Sequence, residues 1–207
     1  MEDVLKLYAS EYDPSQPVVC IDEKGKELRG TPKGELAMAQ GQTRRIDYEY
    51  QREGSCNLFV AYQPHKGYRK VWVTGRRQAV DWARMLKSLV DEVYPQASKI
   101  RVVCDNLNIH NTASLYVTYS PEEASRIADK LEFHYTPTHA SWLNMVEIEL
   151  GVLDHQALGG RFESMAKVAM QVRAWEERRN QAGAKIKWQF TCEKARVKFQ
   201  RFYPKLD

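Results

Sequence analysis

Long apolar runs are missing: no stretch of the 207 residues approaches the about 18 apolar residues that a helix needs to cross a bilayer. The opening residues, MEDVLKLYASEYD, hold neither a basic region nor a long apolar one, so no export signal is legible. Cysteine is sparse and scattered. Cys20, Cys56, Cys104 and Cys192 form no CxxC pair, which argues against a zinc knuckle or a disulfide framework and for small buried thiols. Internal repeats and low-complexity linkers are lacking as well. The expectation is a globular protein of the cytoplasm with no membrane partner.

What is present suffices for a sizeable core, with 43% apolar residues in a chain of single-domain length. Net charge is only +4, but it is unevenly spread. Residues 161–207 carry 12 Lys or Arg against 5 Asp or Glu, leaving the remainder slightly acidic. A solvated helical face has such a composition, and so has a surface that meets a polyanion.

PVVCIDE (Pro17–Glu23) reads as a buried strand, and Lys24–Gln42, rich in Gly, Lys and Pro, as a loop or irregular ribbon. Cys56–Tyr62 and Tyr68–Thr74, separated by QPHKG, resemble a hairpin. Ala79, Trp82, Leu86, Leu89 and Val93 recur at three and four, which predicts an amphipathic helix that stops near Pro95. KIRVVCD and LEFHYTP read as strands on either side of a helix, SPEEASRIADKL, with Ser120 as cap and Pro121 in its first turn. NLNIHNTASLYVTY is ambiguous. Ser141 to about Leu158 and Glu163 to Arg179 look helical. Strands first, then helices alternating with single strands, predict a mixed α/β sheet whose later strands run parallel.

Asp22 and Asp105 each end a predicted buried strand, at the edge where α/β sheets gather their ligands. Alternation puts Val18, Cys20 and Asp22 on one face and Val19, Ile21 and Glu23 on the other, which makes Glu23 the weaker candidate. On the following helix Glu147 is read as facing the sheet with Leu143 and Leu150, and Glu149 as facing water. Taken singly, a strand-end Asp is commonly a turn former and a helical Glu a solvated charge. Three inward carboxylates with no cation beside them need a metal, and an all-oxygen set suits Mg²⁺ or Mn²⁺ better than zinc.

VVCIDE, RRIDYEYQREGSCNLFVAY, VVCDNLNIH and FHYTPTHASWLNMVEIELGVL follow one another in this order. Over nearly its whole length the sequence resembles the catalytic domain of DDE-type transposases from bacterial insertion sequences of the mariner superfamily. The resemblance implies a ribonuclease-H-like fold, a mixed five-stranded sheet flanked by helices. It implies one catalytic domain over residues 1–207, with a short leader (1–16), the core (17–160) and a basic helical C-terminal part (161–207). Asp22, Asp105 and Glu147 match the family's catalytic, metal-holding triad, with two ions per site. The implied activity is divalent-metal-dependent cleavage of DNA at transposon ends and joining to target DNA, in a bacterial protein working at the nucleoid. A structure-selective nuclease on the same fold and a non-enzymatic DNA-binding remnant of a transposase stay open as alternatives.

Other residues of the same motifs are candidates to support that site. Asn106, His110 and Asn144 would position the acids or the DNA, while Trp142 reads as core packing rather than a base-stacking platform. Arg44, Arg45, Arg76, Arg77, Lys185 and Lys187 are candidates for a DNA track, with Arg178, Arg179, Arg196, Lys198 and Arg201 as further members. The 41 residues between Asp105 and Glu147 are somewhat more than the family uses. Only 16 residues precede the first predicted strand, so DNA-end reading is expected from a separate helix-turn-helix subunit or a missing N-terminal domain. A homodimer is a further expected partner.

Overall fold

The computed structural model describes residues 1–32, 35–36, 45–46, 48–107 and 109–203. In chain order its elements are α1 (Glu2–Ala9), β1 (Val18–Gly30), the short strands β2 (Glu35–Leu36) and β3 (Arg45–Ile46), β4 (Gln51–Gln63), β5 (Tyr68–Thr74) and α2 (Ala79–Ser88). They continue with β6 (Ile100–Cys104), α3 (Ala113–Thr118), α4 (Pro121–Ala128), β7 (Leu131–Tyr135), α5 (Val146–Ala157), α6 (Met165–Gln181) and α7 (Cys192–Lys198). Five strands form one sheet in the order β5-β4-β1-β6-β7. β4 pairs antiparallel with both its neighbours, while β6 and β7 run parallel to β1. A first strand at the centre, a hairpin on one side and two parallel strands on the other is the expected ribonuclease-H-like sheet.

Strand alternation builds two cores. Val18 and Cys20 point, with Val60 and Tyr62, to the face covered by α1, α5 and α6, where Trp175 is almost fully enclosed. Val19 and Ile21 point, with Phe59 and Ala61, to the face covered by α2, α3 and α4, where Trp82 is fully enclosed. Burying such side chains stabilises the fold by about 1.5–3 kcal/mol each. Cys20, Cys56 and Cys104 are buried free thiols, and Cys192 is free and half-buried. Among the described residues no helix is long and apolar enough to cross a membrane.

Three local expectations change. The segment Lys24–Gly30, read as loop, continues β1 and pairs with β4 as far as Gly30↔Gln51. Its side chains are mostly polar on both faces, so no apolar alternation announces it. Lys26 Nζ donates to the carbonyl of Leu158 (2.5 Å) just beyond α5, where a cation complements the helix C-terminus. The stretch Ser141–Leu158 is not one helix: a 3₁₀ turn, Ser141–Leu143, ends at Asn144, whose backbone is extended (ψ 109°), and α5 starts after it. The leader also contains a helix, since α1 buries Val4, Leu5 and Leu7.

Candidate active site

The parallel ladder of β1 and β6 aligns Val18 with Arg101 and Cys20 with Val103. Two residues further, that register sets Asp22 level with Asp105, although 82 residues separate them in the chain. Asp22 shares the face of Val18 and Cys20, on which α5 packs, so the first turn of α5, with Glu147, comes to the same edge. Two residues tie that turn to the strand. Asn144, fully buried, donates from Nδ2 to the Ile21 carbonyl (2.9 Å), and its Oδ1 accepts from the Val146 amide (3.4 Å). Tyr8 of α1 donates its hydroxyl to the Leu143 carbonyl (2.8 Å).

Electrostatics link the three acids. Burial, and then repulsion from Glu23, Glu147 and Asp105, push the Asp22 carboxyl up to about 7, against a hydrogen bond from the Glu23 amide (2.8 Å) that favours its ionised form. Neither Asp22, Asp105 nor Glu147 has a Lys or Arg ion-pair partner among the described residues. Asp22 is 9% exposed, whereas the Asp105 side chain is 40% exposed and Glu147 lies open to solvent. Among the described residues no group of three or more His, Cys, Asp or Glu side chains is arranged to hold a metal ion. The carboxylates therefore share an edge and a repulsive field without forming a ligand cage. Their chemistry still fits a hard divalent ion, being all oxygen with no lysine or arginine paired to it among the described residues.

His110, fully buried, lies behind Asp105 and stacks on Trp82 (ring centroids 4.2 Å apart). Its Nδ1 is 2.5 Å from Asp105 Oδ1, and its Nε2 is 2.8 Å from Glu23 Oε2, close enough for charge attraction although not aligned as a hydrogen bond. Burial alone would lower the imidazolium's pKa, but Glu23 and Asp105 outweigh it and raise it above its ordinary value. Glu23 in turn holds Arg77 (2.9 Å). By alternation Glu23 faces the α2 side, where it serves as the counter-charge of His110 rather than as a fourth acid at the edge.

Beside Asp105 opens a cavity of about 360 Å³, lined by Asn106, Leu107 and the loop Thr136–Ser141. Within that loop His139 adopts a left-handed backbone (φ 61°), a strained conformation for a residue with a side chain. Asn106 is among the residues that line the opening.

On α5 the two glutamates are placed opposite to expectation. Glu149, expected in water, is fully buried, and Glu147, expected against the sheet, is exposed. The buried stripe of the helix runs Val146, Glu149, Leu150, Leu153 and Ala157, so Glu149 sits at its centre. It is admitted there because cations come from other elements: Arg69 of β5, fully buried, at 3.2 Å, and Arg179 of α6 at 2.9 Å. The apolar spacing Val146, Leu150, Leu153 and Ala157 places Glu149 inward only for a helix that begins at Val146, and that start is set by Asn144. The arginines of Glu149, 80 residues before and 30 after it, left no such signal.

The basic candidates scatter. Arg76 is exposed beside the edge, and Arg77 spends its charge on Glu23. Arg179 is committed to Glu149, and Arg196 to Glu2 (2.7 Å). Lys185 packs on Gly67 in the β4–β5 turn, at the opposite end of the sheet from Asp105, and Lys187 is exposed two residues further on. Arg44 lies outside the described residues, and for Arg45 only the backbone pairing with Leu36 is described. Trp142, expected in the core, is 43% exposed.

Comparison with known proteins adds a family. A model described as DDE superfamily endonuclease matches residues 17–168. No curated protein matches the sequence. Among solved structures, a chain of the simian T-cell lymphotropic virus intasome in complex with PP2A regulatory subunit B56 gamma is similar at 10% identity, with a TM-score of 0.48. The alignment covers 84% of this chain and 56% of that one. At that level the likeness carries no argument, and the fold rests on strand order.

Proposed function

The chain belongs to the DDE superfamily endonuclease family, and from that premise we propose that it is a divalent-metal-dependent transposase-type nuclease that cuts and joins DNA, with Asp22, Asp105 and Glu147 as its catalytic acids. What supports the reading is that the β1–β6 register sets Asp22 level with Asp105 and that Asp22 feels the repulsion of both Asp105 and Glu147, with no Lys or Arg paired to any of the three among the described residues. Asp22, Asp105 and Glu147 would hold the ions. Glu147 is exposed enough to turn about its side-chain torsions towards a bound ion, while Asp22 is carried by β1 and Asp105 is held by His110. When bound, Mg²⁺ or Mn²⁺ supplies Lewis-acid activation of a water or a DNA 3′-hydroxyl and neutralises the leaving oxygen, which is what a two-ion site contributes.

The chain's own residues do the rest. Asn144 fixes the distance between β1 and α5, and so between Asp22 and Glu147. His110, whose protonated form Glu23 and Asp105 favour, orients the Asp105 carboxylate through Oδ1. The cavity beside Asp105 has room for a sugar-phosphate unit. Purified protein with Mn²⁺ is expected to nick supercoiled DNA, and Asp105→Asn to lower the rate at least about 100-fold; nicking at the unaltered rate by that variant overturns the site. Joining of a pre-cut 3′-hydroxyl end to a second duplex separates a transposase from a nuclease that only cleaves.

A further inference from the structure

Trp142 sits on the 3₁₀ turn between Ser141, which lines the cavity beside Asp105, and Asn144, which holds β1. Its exposure is unusual because the ring is not loose. It stands edge-on to Phe190 (5.3 Å, 70°) and tilted on Phe199 (6.1 Å, 34°), and those two rings meet each other edge-on at 6.3 Å. The indole is thus braced from one side while 43% of the residue remains in water. Its N–H has no hydrogen-bond partner among the described residues. Lys198 Nζ hovers 6.0 Å from the Phe190 ring centre and 5.9 Å from that of Phe199, with no ion pair among the described residues. Residues 187–203 hold five Lys or Arg and a single acid, Glu193.

A rigid, half-open indole next to the turn that lines the cavity beside Asp105, on a surface where cations outnumber acids, matches one chemistry best: a flat π-system attached to a polyanion. We propose that Trp142, backed by Phe190 and Phe199, is a stacking platform for an unpaired base of the DNA strand whose phosphodiester lies at the carboxylate edge, with Lys198 meeting the adjoining phosphate. This rests on the nuclease reading above and adds to it that the site selects frayed or single-stranded ends over intact duplex. Stacking of a base on an aromatic side chain is sequence-tolerant, so the platform would select strand openness and not sequence.

The test separates binding from chemistry by working in EDTA with the Asp105→Asn protein. Duplexes with a short single-stranded tail carrying 2-aminopurine, and blunt duplexes of the same sequence, are titrated with the chain, with Trp142→Ala and with Trp142→Phe. Quenching of 2-aminopurine and a preference for tailed DNA are expected. Trp142→Ala should abolish the quenching and weaken tailed binding about 5- to 100-fold, leaving blunt binding unchanged. Trp142→Phe should restore most of both. Equal affinity of Trp142→Ala for tailed DNA, or equal weakening towards both DNAs, overturns the proposal. So does a change of sedimentation with no change of DNA binding, which would assign the surface to a second copy of the chain. Should Trp142→Ala fail to fold, Lys198→Ala on the exposed surface carries the same contrast, with a several-fold loss for tailed DNA. Stacking without Mn²⁺-dependent nicking by the unaltered chain would keep the platform and reject the nuclease.

Discussion

Two glutamates of α5, two positions apart, live in opposite surroundings. Glu149 lies at the centre of the buried stripe, held by Arg69 and Arg179 inside the layer formed by β5, α5 and α6. Glu147 lies open at the sheet edge with Asp22 and Asp105, and none of these three has an arginine or lysine partner among the described residues. The first region satisfies its acid within the fold. The second gathers acids that no lysine or arginine meets among the described residues, and burial together with their mutual repulsion raises the Asp22 carboxyl. One helix thus does both tasks: through Glu149 it is locked to the layer behind, and through Glu147 it faces what arrives in front.

That contrast can be broken from the buried side first. Arg69→Met removes a fully buried cation from Glu149 and should cost about 3–5 kcal/mol in urea denaturation, with most of it regained in the double variant Arg69→Met, Glu149→Leu, since an apolar pair replaces a buried ion pair without loss. A loss below about 1 kcal/mol would mean that Arg179 alone suffices and that the buried cluster is not a lock.

The open side should respond in the other direction. The Asp22 carboxyl is raised from 3.8 to about 7, so between those values the folded chain binds a proton that the unfolded chain releases. Stability in EDTA should therefore decline as pH rises from about 4 to 7 by a contribution of order 2–4 kcal/mol, fully present above the folded value and absent below the unfolded one. Asp22→Asn should remove that slope, and Mn²⁺ at neutral pH should offset it in the unaltered protein. A slope that Asp22→Asn leaves intact assigns the charge strain elsewhere. The smallest effect is expected at Lys185, which packs on the far turn at Gly67: Lys185→Ala should change neither nicking nor, beyond about 0.5 kcal/mol, stability. A clear loss of DNA binding would extend the DNA surface to that end.

The two arms of the site were unequally legible. Asp22 and Asp105 end apolar β-branched runs, and period-two alternation assigned Asp22 and Glu23 to opposite faces, as the two cores have them. The helical arm is less legible: the pattern Ser141–Leu158 reads as one continuous helix, which sets its angular phase from Leu143. Asn144 interrupts it by giving its amide to Ile21, a contact across 123 residues. Without that break the phase cannot be known, and Glu147 and Glu149 exchange places. His110 was visible as a motif member, but nothing local announces that Glu23 would be its counter-charge or Trp82 its stacking partner.

From the order of its amino acids alone this chain determines where strands and helices alternate, which acids end buried strands and where basic residues collect, because hydrophobic period and turn chemistry act over a few residues. Which acid is neutralised and which is left bare was decided only in three dimensions. Burying a charge is tolerable where a cation from another element reaches it, and the reach of Arg69 and Arg179 to Glu149, or of Asn144 to β1, exists only once the sheet and its two helical layers have assembled.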